Sequence, residues 1–473
     1  MLPILFCDVT TTRLGNRCPS MAGGRKCLRS SSTTTTAAGD DRRRRGVGWG
    51  GAPPTSSDFP SWAHEPNDHF RFEVLHTSNK SMARVGRMIT PHGVIDTPSF
   101  VAVGTNATLK ALDFDAADVA GQRLIFSNAY HLMLHPGTDI IRDAGGIHEY
   151  TGRKDGPFIT DSGGFQIFSL KYGGVSESLA SGEGGGGELK RRACLVRRVG
   201  NKEKSHWRSD VMGKVKVTED HVEFKSYRDG STVILSPEGS IRAQKDIGAD
   251  IIIPLDILPP HLISRDELAA SVERTHRWEA RSLYEHHVDS RDRKQAIFCV
   301  VHGGTDVSLR TKSIEYLTTL PWDGYAIGGS LGNGREELKA LLSWMMPLFN
   351  TPERRDKCRH LLGIADIESI HSAIHHGLDT MDSSYPTKLA RHGTLMTQDG
   401  LIRIKRGKHA KSYGMRIDHD CECSTCAHYD RAYLCHLFRS NEPLGLQLAT
   451  VHNLNFVNRL MENMRRGILE GKI

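Results

Sequence analysis

Strand-like and helix-like segments alternate along most of this chain, polar residues stand where several of the strands end, and three cysteines fall within positions 421–426. These observations predict an α/β protein, a (β/α)8 barrel of the TIM type with an inserted C-terminal zinc-binding subdomain. A length of 473 residues suits two or three domains, but one such barrel takes up most of it. Apolar and charged fractions are ordinary for a globular protein, and no uninterrupted apolar run is long enough to cross a bilayer.

Residues 1 to about 60 are rich in Ser, Thr, Gly and Arg, with a threonine tract at 33–36 and an arginine run at 42–45. They lack apolar periodicity, so 1–68 is expected to be a disordered or targeting extension. From Phe70 onward, 72–75 and 93–103 alternate like short strands of an entry hairpin. Apolar strands at 124–126, 251–253, 296–301, 324–327 and 360–364 follow, with helical stretches at 237–248, 265–287, 308–319, 336–349 and 367–376. Repeated strand–helix alternation means a parallel sheet. A doubly wound sheet is the rival, but the glycine-rich phosphate turn after a first strand is missing. The stretch 176–214, with four consecutive glycines and Lys190-Arg191-Arg192, has neither period and reads as a flexible insertion in a barrel spanning 69–410.

The strand ends carry the chemistry. Asp161 closes Phe158-Ile-Thr and leads into Ser162-Gly-Gly-Phe165-Gln, and Asp256 closes Ile-Ile-Ile-Pro-Leu. His302-Gly-Gly follows Cys-Val-Val, Gly328-Gly329 follows Tyr-Ala-Ile, and Asp382 lies in Asp379-Thr-Met-Asp-Ser-Ser-Tyr-Pro. One such aspartate is ordinarily a helix cap or turn former. Three of them at strand ends face one mouth in a barrel, where reactive groups gather.

The net charge of +7 is modest, yet basic residues concentrate at 388–391 and 403–411, either as a solvated face or as a polyanion-binding edge. Ten cysteines without a disulfide-like framework point to a reducing compartment and a cytoplasmic protein, with an organelle as the alternative if the N-terminus is a targeting peptide. Cys421, Cys423 and Cys426 suit a tetrahedral metal ion completed by one more ligand. His452 can supply it, with Cys435, His428 and His436 as rivals, in a subdomain spanning 411–473.

Asp161-Ser-Gly-Gly-Phe-Gln, Asn128-Ala-Tyr-His-Leu, Asp382-Ser-Ser-Tyr-Pro-Thr and Ala390-Arg-His-Gly-Thr, with the cysteine spacing, resemble the tRNA-guanine transglycosylases from about residue 70 to 470. The resemblance implies exchange of guanine at wobble position 34 of a tRNA with a G34-U35 anticodon for a 7-deazaguanine, queuine in eukaryotic members. It makes Asp382 the nucleophile and Asp161 the acid/base. The base pocket would comprise Asp161, Ser162, Asp256, His302 (where many members have glutamine), the Gly329 amide, and Phe165 with Leu362 as a sandwich. Gly332 would leave room for queuine's extra ring. His452 becomes the fourth ligand of one structural zinc per chain, and Lys388, Arg391, Arg403, Lys405, Arg406 and Lys408 would meet anticodon-loop phosphates. The chain ends soon after the zinc segment, so a member acting in the D-loop with additional RNA-binding domains is not expected. The resemblance also implies a homodimer, or a heterodimer with a non-catalytic paralogue. A non-catalytic tRNA-binding subunit is the alternative for this chain itself, although the retained aspartates speak for catalysis.

Overall fold

The computed structural model describes residues 54–172, 215–259, 263–288 and 294–473. The insertion expected at 176–214 and positions 1–53 of the expected extension lie outside the described residues. Residues 54–68, which the composition assigns to that extension, form two short 3-10 turns, Ser56–Asp58 and Ser61–His64. Phe59 and Ala63 are buried, and Trp62 meets His287 edge-on with ring centroids 5.5 Å apart. A few apolar anchors thus hold a segment whose average composition is that of a tail.

An antiparallel sheet of β1 (Arg71–Thr77), β2 (Arg84–Thr90) and β3 (Gly93–Thr97) comes first. β4 (Ser99–Val103), β5 (Leu124–Ser127) and β6 (Phe158–Thr160) then begin the barrel. A separate antiparallel sheet of β7 (Lys216–Val217), β8 (Val222–Lys225) and β9 (Thr232–Leu235) intervenes. The barrel resumes with β10 (Ile251–Ile252), β11 (Ala296–Val301), β12 (Gly324–Ile327), β13 (Cys358–Leu361) and β14 (Thr380–Ser383). These eight strands are parallel and β14 pairs with β4, so the predicted (β/α)8 barrel closes. β10 stops early because Pro254 follows and has no N–H to give the ladder. The β7–β9 sheet was not anticipated; its strands are short and lie directly beside the low-complexity stretch.

Alternate residues of β11, namely Ala296, Phe298 and Val300, point into the barrel and pack with Leu124, Phe126, Ile159 and Ile251. The β1–β3 sheet stoppers the N-terminal end, where Phe70 meets Phe298 with ring centroids 5.6 Å apart and Asn67 Nδ2 donates to Gln295 O at 3.2 Å. After β14 come the helix Tyr385–Arg391 and the hairpin β15 (Thr394–Thr397) to β16 (Gly400–Arg403). The helices Ser424–His428, Arg431–Arg439 and Pro443–Leu469 follow. The last runs back past β4, with Arg465 Nη1 donating to Pro98 O at 2.7 Å and Asn458 Nδ2 to Ala120 O at 3.0 Å. Among the described residues no helix is long and apolar enough to cross a membrane.

Candidate active site and metal centre

Asp161 stands immediately after β6, where the parallel ladder ends and backbone donors become available. Its Oδ1 accepts from the backbone N–H of Ala129 at 2.8 Å and of Gly163 at 3.2 Å. Its Oδ2 accepts from Asn128 Nδ2 at 2.7 Å and Gln166 Nε2 at 2.8 Å. Burial pushes the carboxyl up to about 6, against the pull of these four donors, which favour the anion. A carboxyl that titrates near neutrality can both give and take a proton. Gly163 has φ of +84°, a left-handed turn that lets the chain double back into the helix Gly164–Tyr172. Phe165, in the first turn of that helix, is 48% exposed, and no aromatic ring packs on it among the described residues.

Ser162 Oγ lies 3.5 Å from Asp256 Oδ1, past the end of β10. Asp256 Oδ2 lies 3.0 Å from Nε2 of the buried His302, although the ring edge is not aligned for a hydrogen bond. Next along the mouth comes Gly329, where an added Cβ would sit 2.9 Å from His302 Nδ1; its φ of +73° also favours glycine. A Cβ on Gly328 would lie 3.0 Å from Leu362 Cδ1. A cavity of about 300 Å³ opens beside His302, Gly329 and Ser330. Behind the pocket, the carboxyl of Glu279 on the helix Arg265–Val288 is wholly buried and held far above the usual range by that burial.

Asp382 lies in β14 and is 6% exposed. Its Oδ1 accepts from Gly363 N at 2.8 Å and lies 3.3 Å from His360 Nε2, again without hydrogen-bond alignment. His360 Nδ1 sits 2.9 Å from Thr380 Oγ1, and its ring stacks with Phe126. The mouth therefore forms one arc of neighbours, from Asp161 and Ser162 through Asp256, His302 and Gly329 to Leu362, Gly363 and Asp382. None of its three aspartates has an Arg or Lys partner among the described residues. Such a surface offers a carboxyl able to give or take a proton, a planar polar slot and a lightly held carboxylate without a cation beside it.

Residues 78–181 and 206–473 match the queuine tRNA-ribosyltransferase family. The chain belongs to this family, which consists of pentosyltransferases. A relative from Protochlamydia amoebophila, named queuine tRNA-ribosyltransferase, is 50% identical over 405 residues, 86% of this chain and 97% of that protein. Relatives of the same name from Chlamydia caviae and Chlamydia pneumoniae are 43% and 42% identical over 404 residues, 85% of this chain and 99% of each of those proteins.

Asn128, Gln166 and His360 touch the family member's strand-end aspartates but carried no separate signal as site residues. Asn128 and Gln166 were visible only as neighbours within motifs, and His360 only as a polar residue inside an apolar strand.

The Cys421, Cys423, Cys426 and His452 side chains are all buried and converge. His452 Nδ1 lies 3.6, 3.7 and 3.3 Å from the three sulfurs in that order. Tetrahedral zinc, with bonds of about 2.3 Å to sulfur and 2.0–2.1 Å to nitrogen, requires S···N edges of about 3.6 Å. The donor set therefore fits a metal ion of this kind. His452 Nε2–H donates to Met396 O at 2.8 Å, which leaves the Nδ1 lone pair facing the sulfurs. The rivals are elsewhere, since Cys435 Sγ faces Arg406 O at 3.8 Å, His428 Nδ1 faces Ser424 O at 2.9 Å, and His436 is exposed, with its ring beside Tyr433. Asn453 fastens the same helix to the barrel side: its Oδ1 accepts from Met396 N at 2.9 Å, and its Nδ2 donates to Pro386 O and Thr394 O, each at 3.0 Å.

Lys388, Arg403, Lys405, Arg406 and Lys408 are exposed and Arg391 is half-buried. None of the six pairs with a carboxylate among the described residues. His392, itself exposed, is held below its usual range by partial desolvation and by the nearby Arg391, Lys388 and Lys405, whose positive charges share that surface.

Proposed function

We propose that this chain exchanges guanine at wobble position 34 of tRNAs with a G34-U35 anticodon for queuine, by double displacement through a ribosyl-Asp382 intermediate. The observation that carries the reading is Asp382 itself, a carboxylate at a barrel mouth held by a single backbone N–H and no cation, next to the slot formed by Asp256, His302 and Gly329. In the first displacement an Asp382 oxygen bonds to the ribose C1′ as the C1′–N9 bond breaks. The bonding pair leaves with guanine, and Asp161 gives the departing purine a proton. In the second, the carboxylate of Asp161 takes the N9 proton of the incoming base, whose nitrogen bonds to C1′ and releases Asp382. Two inversions give net retention, the logic of retaining glycosidases.

Asp256 accepts from the purine N1–H and N2–H, the Gly329 N–H donates to O6, and His302 donates to O6 or N7. Phe165 and Leu362 cover the two faces. Gly332 leaves space for queuine, and it also has a local cause: φ is +101° and a Cβ would lie 2.5 Å from that of Glu337. Cys421, Cys423, Cys426 and His452 would hold one structural zinc, with four protein ligands and no position left for a substrate, and would so tie the turn and the last helix to the barrel side. Lys388, Arg391, Arg403, Lys405, Arg406 and Lys408 bind phosphates of the anticodon loop in the cytoplasm. In domain terms, 1–68 is an extension of which 54–68 is anchored, 69–410 the barrel and 411–473 the zinc-binding part.

The test is incorporation of labelled guanine into such a tRNA by the purified chain, beside Asp382→Ala. Incorporation by the wild type that is lost in the variant is the expected result. No incorporation by the chain alone, restored by adding a non-catalytic paralogue, assigns a heterodimer instead of a homodimer; no incorporation under either condition overturns the reading.

A further inference from the structure

Arg310, on the helix Val307–Leu317, is fully buried and has no carboxylate partner among the described residues. All its strong contacts are backbone carbonyls of two mouth loops. Nε donates to Gly304 O at 2.8 Å and Nη1 to Val301 O at 3.1 Å; Nη2 donates to Gly328 O and to Ser330 O, each at 3.1 Å. Burial lowers the guanidinium to about 9, which still leaves it charged at neutral pH. An unpaired buried cation is costly, and its persistence between two functional loops calls for a reason.

The geometry of the peptide bond supplies one. In a trans peptide the carbonyl of one residue and the N–H of the next point in opposite directions. Arg310 grips Gly328 O from behind, so the Gly329 N–H is turned away from it, and the left-handed φ of Gly329 permits the turn. That N–H has no hydrogen-bond partner among the described residues. Hydrogen bonding at the carbonyl also polarises the amide, strengthening its N–H as a donor. We propose that Arg310 is a positioning residue that aims and polarises the Gly328–Gly329 peptide, so that the Gly329 N–H stabilises negative charge on O6 of the departing purine.

This inference rests on the base-pocket reading above. Charge reaches O6 as the glycosidic bond breaks, so the interaction is stronger in the transition state than in the bound substrate. Loss of Arg310 should therefore lower kcat more than it raises the KM for tRNA.

The experiment uses the full chain, with any partner it requires, as wild type, Arg310→Lys and Arg310→Gln, and two purines that differ at one atom, guanine and 6-thioguanine. Sulfur is the poorer acceptor, while N1–H and N2–H are retained. The wild type is expected to bind guanine at least about tenfold more tightly than 6-thioguanine. Arg310→Gln should lose most of that preference, with kcat down at least about tenfold and KM for tRNA within about threefold. Arg310→Lys, which keeps the charge, should recover part of both. Equal losses for the two purines, or an unchanged preference, overturn the inference. If neither variant folds, the wild type still tests it: equal affinity for the two purines overturns the inference, because the Gly329 N–H then gives O6 no hydrogen bond to strengthen. A wild type that binds no guanine at all instead overturns the base-pocket reading.

Discussion

Two pairs of aspartates, one member of each at either end of the barrel, are held in opposite ways. At the N-terminal end, Asp379 receives Arg84 Nε at 2.8 Å and the backbone N–H of Arg359 at 2.7 Å, and Arg84 is buried with it. Asp250 is likewise saturated, by His92 at 2.8 Å, His148 at 3.0 Å and Phe158 N at 2.8 Å. Three residues beyond Asp379, Asp382 has one backbone N–H; six beyond Asp250, Asp256 has a distant serine hydroxyl and an unaligned imidazole. Charge that is fully compensated holds a structure in place, whereas charge left partly uncompensated is available to a substrate. Strand direction sorts these two pairs, since βα loops at the C-terminal ends are free to vary while the opposite end carries stability; Asp161, at the same mouth, accepts four hydrogen bonds but none from a cation.

Exchanging the members of one pair tests this division most severely. Asp382→Asn should reduce guanine exchange at least about 10³-fold with the melting temperature nearly unchanged. Asp379→Asn should do the reverse, costing about 3–5 kcal/mol because Arg84 is left buried without its counter-ion. Chemical denaturation and the labelled-guanine assay on both variants check it; a Asp379→Asn protein as stable as wild type would break the comparison. Asp161 gives the next effect. Its raised folded value, about 6, means that the protonated acid is populated below that pH and lost above it. The displacement that consumes this proton should therefore slow about tenfold per pH unit above about 6, in single-turnover adduct formation with tRNA in excess. A flat profile from pH 6 to about 8 would remove Asp161 from the acid role. A smaller effect belongs to the basic edge. Lys405→Ala with Lys408→Ala should lower the salt slope of tRNA binding by about 1.4, at about 0.7 per phosphate contact on a single strand. An unchanged slope would separate those lysines from the RNA.

Much of the upper end was legible because its features are local. Asp161, Asp256, His302, Gly329 and Asp382 each follow or end an apolar run that can be read as a strand, and Cys421, Cys423 and Cys426 sit within one turn. His452 is 26 residues beyond Cys426; in sequence only resemblance distinguishes it from Cys435, whereas in the fold the three sulfurs converge on its Nδ1. The lower end was nearly silent. Arg84 and Asp379 are 295 positions apart, and His92, His148 and Asp250 come from three distant segments, so no window of sequence contains their partnership. Arg310 was hidden for a related reason. In a helical stretch an arginine reads as solvent-facing, and only the fold shows that the carbonyls of two loops surround it.

The finest comparison lies within the mouth itself, between His302 and the glutamine that many family members place before the same two glycines. Both side chains can donate one hydrogen bond to O6 or N7, so guanine affinity in His302→Gln should stay within about threefold of wild type. They differ in what else they reach. The imidazole sets Nε2 3.0 Å from Asp256 Oδ2 without aligning a hydrogen bond, whereas a glutamine amide carries its donor and its acceptor on one freely rotating group. His302→Ala, which donates nothing, should weaken guanine binding about tenfold, because one hydrogen bond to the purine is lost. Titration calorimetry with guanine on the three proteins measures both effects. An alanine variant that binds as tightly as wild type would mean that His302 gives the base no hydrogen bond, and that its place beside Asp256 is structural.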